Sequence, residues 1–266
     1  MMQESPVIAL LTDFGTEDSY VAEMKGVMLM SNPRMIIVDI SHTIPRGDLR
    51  QATFLLWRSH IHFPEDTIFL SVVDPGVGGD RKIIILEANN QYFIAPDNGL
   101  LTLIADSYDF VAHEIAKQDF MPEVFFDTFH GRDIMAPACG FLTLGAEAKA
   151  FGPKVSDIKR INIQKAEAFV DRIAGEVLSI DSFGNVITSI LGESLKSYGE
   201  PENLLVTIGR KVIGPIQKTF SSVRSGKEVA YIGSAGLLEL AINEGDFAEK
   251  YRVKVGKKIE VTVNES

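Results

Sequence analysis

Two glycine-rich segments carry side chains that could do chemistry together. The first contains Asp74 and Arg81, and the second, FHGRD at 129–133, contains His130. A carboxylate, a guanidinium and an imidazole can orient a small molecule, move its protons or stabilise its charge. The first segment follows an apolar run at 67–73 that has the composition of a buried strand. This placement predicts a reaction centre where a strand ends.

Each of these residues also has a simpler interpretation. An aspartate after a strand is often a turn or cap residue, and an isolated histidine is usually structural. However, the PGVGG stretch after Asp74 is longer than a minimal turn needs, and it returns Arg81 towards the same edge. His130 follows the aromatic residues Phe125, Phe126 and Phe129. Apolar walls of this kind favour a functional histidine whose edge faces a cleft.

Other polar residues follow predicted strands, where ligands bind in open parallel sheets. They are Asp13, Asp39, His42 and the Asp97-Asn98 pair. These side chains are expected to share one rim with Asp74. Helix capping and turn formation remain equally good interpretations of the Asp97-Asn98 pair. Asp39 and His42 are ambiguous in the same way.

The elements that would position these residues change in type along the chain. Up to about residue 150, apolar runs alternate with helical patterns at 19–31 and 48–59, which indicates a mainly parallel sheet covered by helices. The apolar runs lie at 7–11, 35–40, 68–73, 83–86 and 92–95. After about residue 165, short runs separated by Gly, Ser and Asn predict antiparallel strands. These runs lie at 175–180, 185–190, 204–208, 211–216, 229–232 and 258–263. The sequence therefore predicts an α/β/α domain over 1–160 and a β-barrel or sandwich domain over 166–266, joined by a linker at 151–164.

Composition limits the function classes. The 266 residues are 45% hydrophobic, enough for a substantial core, and the net charge of −10 argues against nucleic acid as a partner. No apolar run approaches the roughly 20 residues that span a bilayer, and no signal peptide is recognisable. The single cysteine, Cys139, lies in an apolar stretch and is expected to be buried. We expect a soluble, cytoplasmic protein with a cationic or zwitterionic small ligand.

Six motifs resemble, in the same order, those of the S-adenosylmethionine (SAM) hydroxide adenosyltransferases, relatives of the SAM-dependent fluorinase and chlorinase. They are LTDFG at 11–15, VDPGVG at 73–78, APDNGL at 95–100, FHGRD at 129–133, IDSFGN at 180–185 and GSAG at 233–236. The resemblance implies an N-terminal α/β/α domain and a C-terminal β-barrel. It further implies a homotrimer that binds SAM between the N-terminal domain of one subunit and the C-terminal domain of its neighbour.

The resemblance also implies the reaction and its residues. SAM and water would give adenosine and L-methionine, with SAM as substrate and with no cofactor or metal. The implied catalytic set is Asp74, Arg81 and His130. The implied substrate contacts are Asp13 for the ribose diol, Asp181 for the methionine ammonium, Phe183 and Asn185 for adenine, and Ser234 for the methionine carboxylate. Without the resemblance, SFGN at 182–185 would equally form a barrel turn with a core aromatic residue.

The family also offers contrasts. The fluorinase has Tyr at the positions of Asp74 and His130, Ser at that of Gly131, and Arg at that of Ala235. At the first three positions this chain resembles the hydroxide-using branch. The departure at Ala235 means that a backbone amide or another side chain must complete the carboxylate contact.

The implied chemistry needs little from the protein because the sulfonium leaves as a neutral thioether. Asp74 beside Arg81 is expected to orient the water, and Arg81 to stabilise charge on oxygen, with His130 as a proton acceptor or relay. Orientation alone can contribute roughly 7–11 kcal/mol.

Three alternatives stay open. Asp13, Asp39, His42, Asp74 and His130 could form a metal-dependent phosphohydrolase centre, although Arg81 would repel a metal. A non-catalytic SAM or adenosine sensor would bind tightly without releasing methionine. Halogenase activity is disfavoured by the negative charge of Asp74.

Overall fold

The computed structural model describes residues 5–120 and 126–264. The chain divides into two compact units, 1–161 and 162–266. Phe125 lies outside the described residues.

The first unit alternates strands and helices. Its strands are β1 (Val7–Thr12), β2 (Ile36–Ser41), β3 (Ile68–Val72), β4 (Ile83–Ala88), β5 (Gln91–Pro96), β6 (Phe110–Glu114) and β7 (Lys154–Val155). Its helices are α1 (Tyr20–Ser31), α2 (Leu49–His60), α3 (Thr102–Ser107) and α4 (Ala136–Thr143), with a π-helical turn at Gly131–Met135 leading into α4. The helices predicted at 19–31 and 48–59 are confirmed as α1 and α2.

The seven strands form one sheet in the order β2-β1-β3-β5-β4-β6-β7. Strands β2, β1, β3 and β5 are parallel, whereas β4, β6 and β7 pair antiparallel at the other side. Successive β1 residues face opposite cores: Leu10 packs with Met24 and Met28 of α1, and Leu11 packs with Leu56 of α2. Apolar groups on both faces explain the continuous hydrophobic runs, and the α/β/α prediction is confirmed.

The second unit is built from antiparallel strands. They are β8 (Glu167–Ala168), β9 (Arg172–Ile180), β10 (Val186–Leu191), β11 (Leu204–Ile208), β12 (Lys211–Ile213), β13 (Ile216–Gln217), β14 (Glu228–Ile232), β15 (Leu237–Ile242) and β16 (Lys258–Val263). Two short helices are α5 (Gly192–Leu195) and α6 (Phe247–Tyr251). The sheet order is β12-β11-β16-β9-β10-β15-β14-β13, with β8 beside β9 and a parallel pairing only between β13 and β14. This nearly closed sheet around one apolar core confirms the predicted barrel.

Two features of the second unit differ from the sequence prediction. Strand β15 was not expected, and the run predicted at 211–216 is two strands separated by Gly214 and Pro215. Proline has no backbone donor for a continuous ladder, which explains the break. Within the described residues, no helix combines the length and apolar composition needed to cross a bilayer.

Candidate active site

The loop after β3 carries Asp74 and returns Arg81 to the same place. Strand β3 is buried throughout, and the side chain of Asn98 donates a 2.9 Å hydrogen bond to the carbonyl of Val73, which fixes the point where the strand ends. At Gly78 φ is +78°, and a Cβ there would lie 2.9 Å from the carbonyl oxygen of Asp127. Glycine therefore allows the loop to pack on the segment that leads to His130.

Arg81 joins the carboxylate and the imidazole in one hydrogen-bonded chain. Its Nε lies 2.9 Å from both Oδ1 and Oδ2 of Asp74, and its terminal nitrogen donates to Oδ2 and, at 2.9 Å, to Nδ1 of His130. The side chains of Asp74 and Arg81 are only 5% and 7% exposed. The structure thus brings together the three residues that the sequence singled out as catalytic.

The hydrogen bond from Arg81 determines which nitrogen of His130 carries the proton. Arginine is only a donor, so Nδ1 of His130 must present its lone pair, and the neutral ring carries its proton on Nε2. Burial lowers the pKa of His130, and the charge of Arg81 lowers it further, while Asp74 and Asp127 act in the opposite direction. The imidazole is therefore neutral near pH 7, as expected for a proton acceptor or relay, with its hydrogen on Nε2.

His130 immediately precedes the π-helical turn. A Cβ on Gly131 would lie 3.2 Å from a methyl of Val72 and 3.3 Å from the sulfur of Met24, so glycine lets the turn pack closely against the end of β3 and α1. π-helical turns of this kind are frequent at functional sites. The local sequence thereby sets the imidazole beside the loop that carries Asp74.

Two cavities open beside the cluster. One has a volume of about 480 Å³ and the other about 450 Å³, and Phe14, Tyr20 and Asp74 line both. Phe129 and Arg132 complete one wall of the larger cavity, whereas Asp13 and Arg46 line the smaller one. Asp74 thus lies at the boundary of a mainly aromatic space and a mainly charged space.

Asp13 lies at the rim and is held by the loop that precedes α2. Its Oδ2 accepts a 2.8 Å hydrogen bond from the backbone of Gly47. The neighbouring Thr12 hydroxyl lies 2.9 Å from Nδ1 of His42, whose carbonyl accepts from Gly15 at 2.7 Å. His42 therefore supports the Asp13 loop.

The other strand-end residues have structural partners. Asp39 forms an ion pair with Lys25 at 2.7 Å, and its Oδ1 lies 3.1 Å from Nε2 of His42. Asp97 is buried and accepts a 2.8 Å hydrogen bond from the backbone of Lys159. The turn-forming interpretation of the Asp97-Asn98 pair fits these contacts.

The IDSFGN segment of the second unit forms the turn between β9 and β10. Asp181 Oδ1 accepts from the backbones of Phe183 and Asn185, both at 2.9 Å, and its Oδ2 accepts from the Asn185 side chain at 2.9 Å. At Gly184 φ is +78°, and a Cβ would collide with the Asp246 carboxylate at 2.0 Å. The turn is present, but Phe183 is 76% exposed and is not a core residue.

Ser234 lies in the turn between β14 and β15. The Gly233 backbone donates to Leu237 at 2.9 Å, and Gly236 donates to Gly233 at 2.9 Å, which closes the loop around Ser234. A Cβ on Gly233 would lie 2.0 Å from a carboxylate oxygen of the buried Glu239. Only glycine permits this close approach.

Sequence reasoning missed the part played by Arg132, Asp133 and Glu23. Arg132 donates to Glu23 at 2.7 Å and to Asp133 at 2.6 and 2.9 Å, next to the aromatic cavity. The FHGRD motif contained two of these residues, but nothing in the sequence indicates that Glu23 of α1 meets them.

The part of the chain that the structure describes contains no arrangement of side chains suited to a metal ion. Within the described residues, no group of three or more His, Cys, Asp or Glu side chains is arranged to hold a metal ion. Cys139 is fully buried, as expected, and burial raises the pKa of its thiol.

A hydrogen-bonded polar cluster beside cavities, where parallel strands end, is typical of an α/β enzyme that acts on a small molecule. Comparison with known families specifies the class. Residues 8–152 match the SAM hydroxide adenosyltransferase N-terminal domain, and residues 175–260 match the C-terminal domain. The chain belongs to the SAM hydroxide adenosyltransferase family.

Individual relatives agree with this membership. The chain is 36% identical to an (R)-S-adenosyl-L-methionine hydrolase of Thermus thermophilus, over 95% of this chain and 98% of the relative. It is 30% identical to a fluorinase of Nocardia brasiliensis, over 97% of both chains. A crystal structure of an uncharacterized conserved protein from Thermotoga maritima superimposes with a TM-score of 0.90 at 36% identity, covering 96% of this chain and 99% of that one.

Proposed function

We propose that this protein hydrolyses SAM to adenosine and L-methionine by attack of water at C5′, without a metal or cofactor. The Asp74–Arg81–His130 chain beside two cavities carries the proposal, in a family that includes SAM hydrolases. The relatives' name specifies the (R) configuration at the sulfonium sulfur, so we propose that (R)-SAM is the preferred epimer.

The proposed reaction forms an O–C5′ bond while the C5′–S electron pair leaves with sulfur. Methionine departs as a neutral thioether, so the site needs no acid at the leaving group. The attacking water loses one proton, and the products are adenosine, methionine and H⁺. The difficult part is to hold one water in line behind C5′, a positioning problem that can contribute roughly 7–11 kcal/mol.

Asp74 is suited to hold that water. A carboxylate offers about four lone-pair directions, and Arg81 makes one contact to Oδ1 and two to Oδ2. Oδ1 therefore retains a direction for a water hydrogen, while Arg81 prevents the carboxylate from rotating. His130, neutral with hydrogen on Nε2, would donate to the oxygen or help pass on its proton.

Substrate recognition is proposed for the remaining residues. Asp13 would accept from the ribose diol, and the exposed ring of Phe183 would stack on adenine beside Asn185. Asp181 would meet the methionine ammonium, and Ser234 the carboxylate. We also propose a cytoplasmic homotrimer in which the site forms between neighbouring subunits.

The phosphohydrolase alternative fits less well. Arg81 donates to both Asp74 and His130, so a positive charge already lies between the two side chains that a metal would need to bind. The sensor alternative differs from the hydrolase in one measurable property, because a sensor binds SAM without releasing methionine.

The test is incubation of each SAM epimer with chelator-treated protein in ¹⁸O-enriched water, followed by mass spectrometry of the nucleoside. We expect methionine release and ¹⁸O in the adenosine 5′-hydroxyl. Binding of SAM without methionine release would support the sensor, and a requirement for added metal would contradict the proposed mechanism.

A further inference from the structure

The FHGRD motif supplies a second arginine that the proposed reaction does not use. Each of the three nitrogens of the Arg132 guanidinium donates to a carboxylate: Nη1 donates to Glu23 at 2.7 Å, and Nε and Nη2 donate to Asp133 at 2.6 and 2.9 Å. Ser19 in turn donates to Glu23 at 2.6 Å. Arg132 is therefore neutralised within its own unit and is not a free cation for substrate.

Arg132 also faces the aromatic wall of the larger cavity. Its guanidinium carbon lies 4.8 Å from the ring centroid of Phe129 and 5.7 Å from that of Phe126. The Phe129 ring contacts Phe14 and Tyr20 edge to face, with centroids 5.8 and 5.4 Å apart. These rings line the cavity that Asp74 borders, so the position of Arg132 determines where that wall lies.

The same residues close the backbone around His130. Asp133 accepts a 2.9 Å hydrogen bond from the backbone of Phe126, and the carbonyl of Phe129 accepts from both Arg132 and Asp133, at 3.1 and 3.0 Å. His130 lies inside this closed segment. Its bond to Arg81 at 2.9 Å can form only if the segment keeps its conformation.

We propose that Arg132 is a positioning residue for hydrolysis, which fixes Phe129 in the wall of the larger cavity and holds the segment of His130 so that the imidazole reaches Arg81. The inference rests on the proposed function. The positioning role requires the planar guanidinium of arginine, because a lysine ammonium cannot pair bidentately with Asp133 and also reach Glu23.

The test compares wild type with Arg132→Lys in steady-state hydrolysis of SAM. We expect kcat to fall by about 10- to 100-fold, since small misplacements at a reaction centre have effects of that size, while KM changes by less than about threefold. Thermal unfolding measured in parallel separates a loss of folded protein from a loss of turnover.

The pH profile gives a readout that a purely structural role would not move. Arg81 and Asp74 face His130 from the loop after β3, and Asp127 and Asp133 face it from its own segment. Burial is the first cause of its lowered pKa, so a loosened segment allows His130 to bind a proton more readily. Protonation at Nδ1 breaks the bond to Arg81. As the pH is lowered, we therefore expect Arg132→Lys to lose activity at a higher pH than wild type does.

Arg160 provides a matched control in the same unit. It pairs with Asp106 at 3.2 Å and Asp157 at 3.4 Å, and it lies 5.9 Å from the ring of Phe110. Arg160→Lys therefore loses the same kind of contacts away from the proposed site. We expect its kcat, KM and pH profile to equal those of wild type.

The outcomes separate the two proposals. Wild-type kcat and pH profile in Arg132→Lys, or the same loss in Arg160→Lys, would overturn the positioning role.

If Arg132→Lys does not fold, Glu23→Gln decides, because it weakens the pairing of Arg132 with Glu23 and leaves the bidentate pairing with Asp133 intact. Reduced kcat in Glu23→Gln supports the role, and unchanged kcat and pH profile overturn it. Absence of methionine release by wild type would instead refute the proposed function.

Discussion

The two regions that carry the candidate residues differ in how they expose them. In the first unit, Asp74 and Arg81 are almost fully withdrawn from solvent and are bonded to each other and to His130. In the second unit, the turn at Asp181 is held by its own hydrogen bonds, yet it projects Phe183 into solvent. The first region holds buried, mutually bonded polar groups, for which we propose the chemistry, whereas the second exposes an aromatic ring, for which we propose substrate recognition.

This difference teaches which substitutions should affect turnover and which should affect binding. Buried, mutually bonded groups cannot be removed singly without leaving an unsatisfied partner. An exposed ring can be removed without that penalty, so its loss should appear only when a ligand is present.

Arg81→Ala should have the largest effect. It removes the donor that orients Asp74 and fixes the tautomer of His130, so we expect kcat to fall by about 10²–10³-fold, the range seen when one catalytic donor is deleted. KM for SAM should change much less. Arg81→Lys should not restore activity, because a lysine cannot reproduce the fork that joins two partners. Equal losses in kcat and in SAM affinity, the latter measured by calorimetry, would contradict this assignment.

Phe183→Ala should have an intermediate effect and should act on binding. If the ring stacks on adenine, its loss should raise KM by roughly 5- to 150-fold, corresponding to about 1–3 kcal/mol per stacked base. The melting temperature should stay unchanged because the ring is exposed. Phe220→Ala, another exposed aromatic of the second unit, is the control and should keep wild-type KM. A lowered kcat at unchanged KM in Phe183→Ala would break the division between the two regions.

Much of the first unit was readable from the sequence. Continuous apolar runs identified β1 and β3, and the carboxylates that follow them mark the edge where the site lies. The glycine-rich loop after Asp74 indicated that the chain returns, and Arg81 does lie against Asp74. These features are local, so composition and spacing are sufficient to predict them.

The rest depends on contacts between distant residues. Strand β15 was missed because Glu239 interrupts its apolar run, and only the structure shows that this buried carboxylate accepts a 2.8 Å hydrogen bond from the Tyr231 hydroxyl. The pairing of Arg132 with Glu23 links residues 109 positions apart. The exposure of Phe183 likewise depends on the direction in which the turn leaves the sheet, and hydrophobic periodicity in the sequence does not predict that direction.

Asn98→Ala should have the smallest effect and sharpens the comparison within the first unit. The Asn98 amide donates to the carbonyl of Val73 and accepts from the backbone of Leu100 at 3.2 Å, so it fixes the strand end one residue before Asp74. Loss of one such hydrogen bond costs about 0.5–1.5 kcal/mol, and we expect a similar loss of stability with a kcat lower by only a few-fold.

Asn98→Asp separates support of the strand end from simple space filling. It keeps the acceptor for Leu100 but loses the donor to Val73, and it sets a negative charge against a carbonyl. If Asn98 positions Asp74 through Val73, kcat in Asn98→Asp should fall at least as far as in Asn98→Ala, with little change in KM. Full activity in Asn98→Asp would mean that the bond to Val73 does not control the position of Asp74, and that the β3 core and Arg81 alone hold the carboxylate in place.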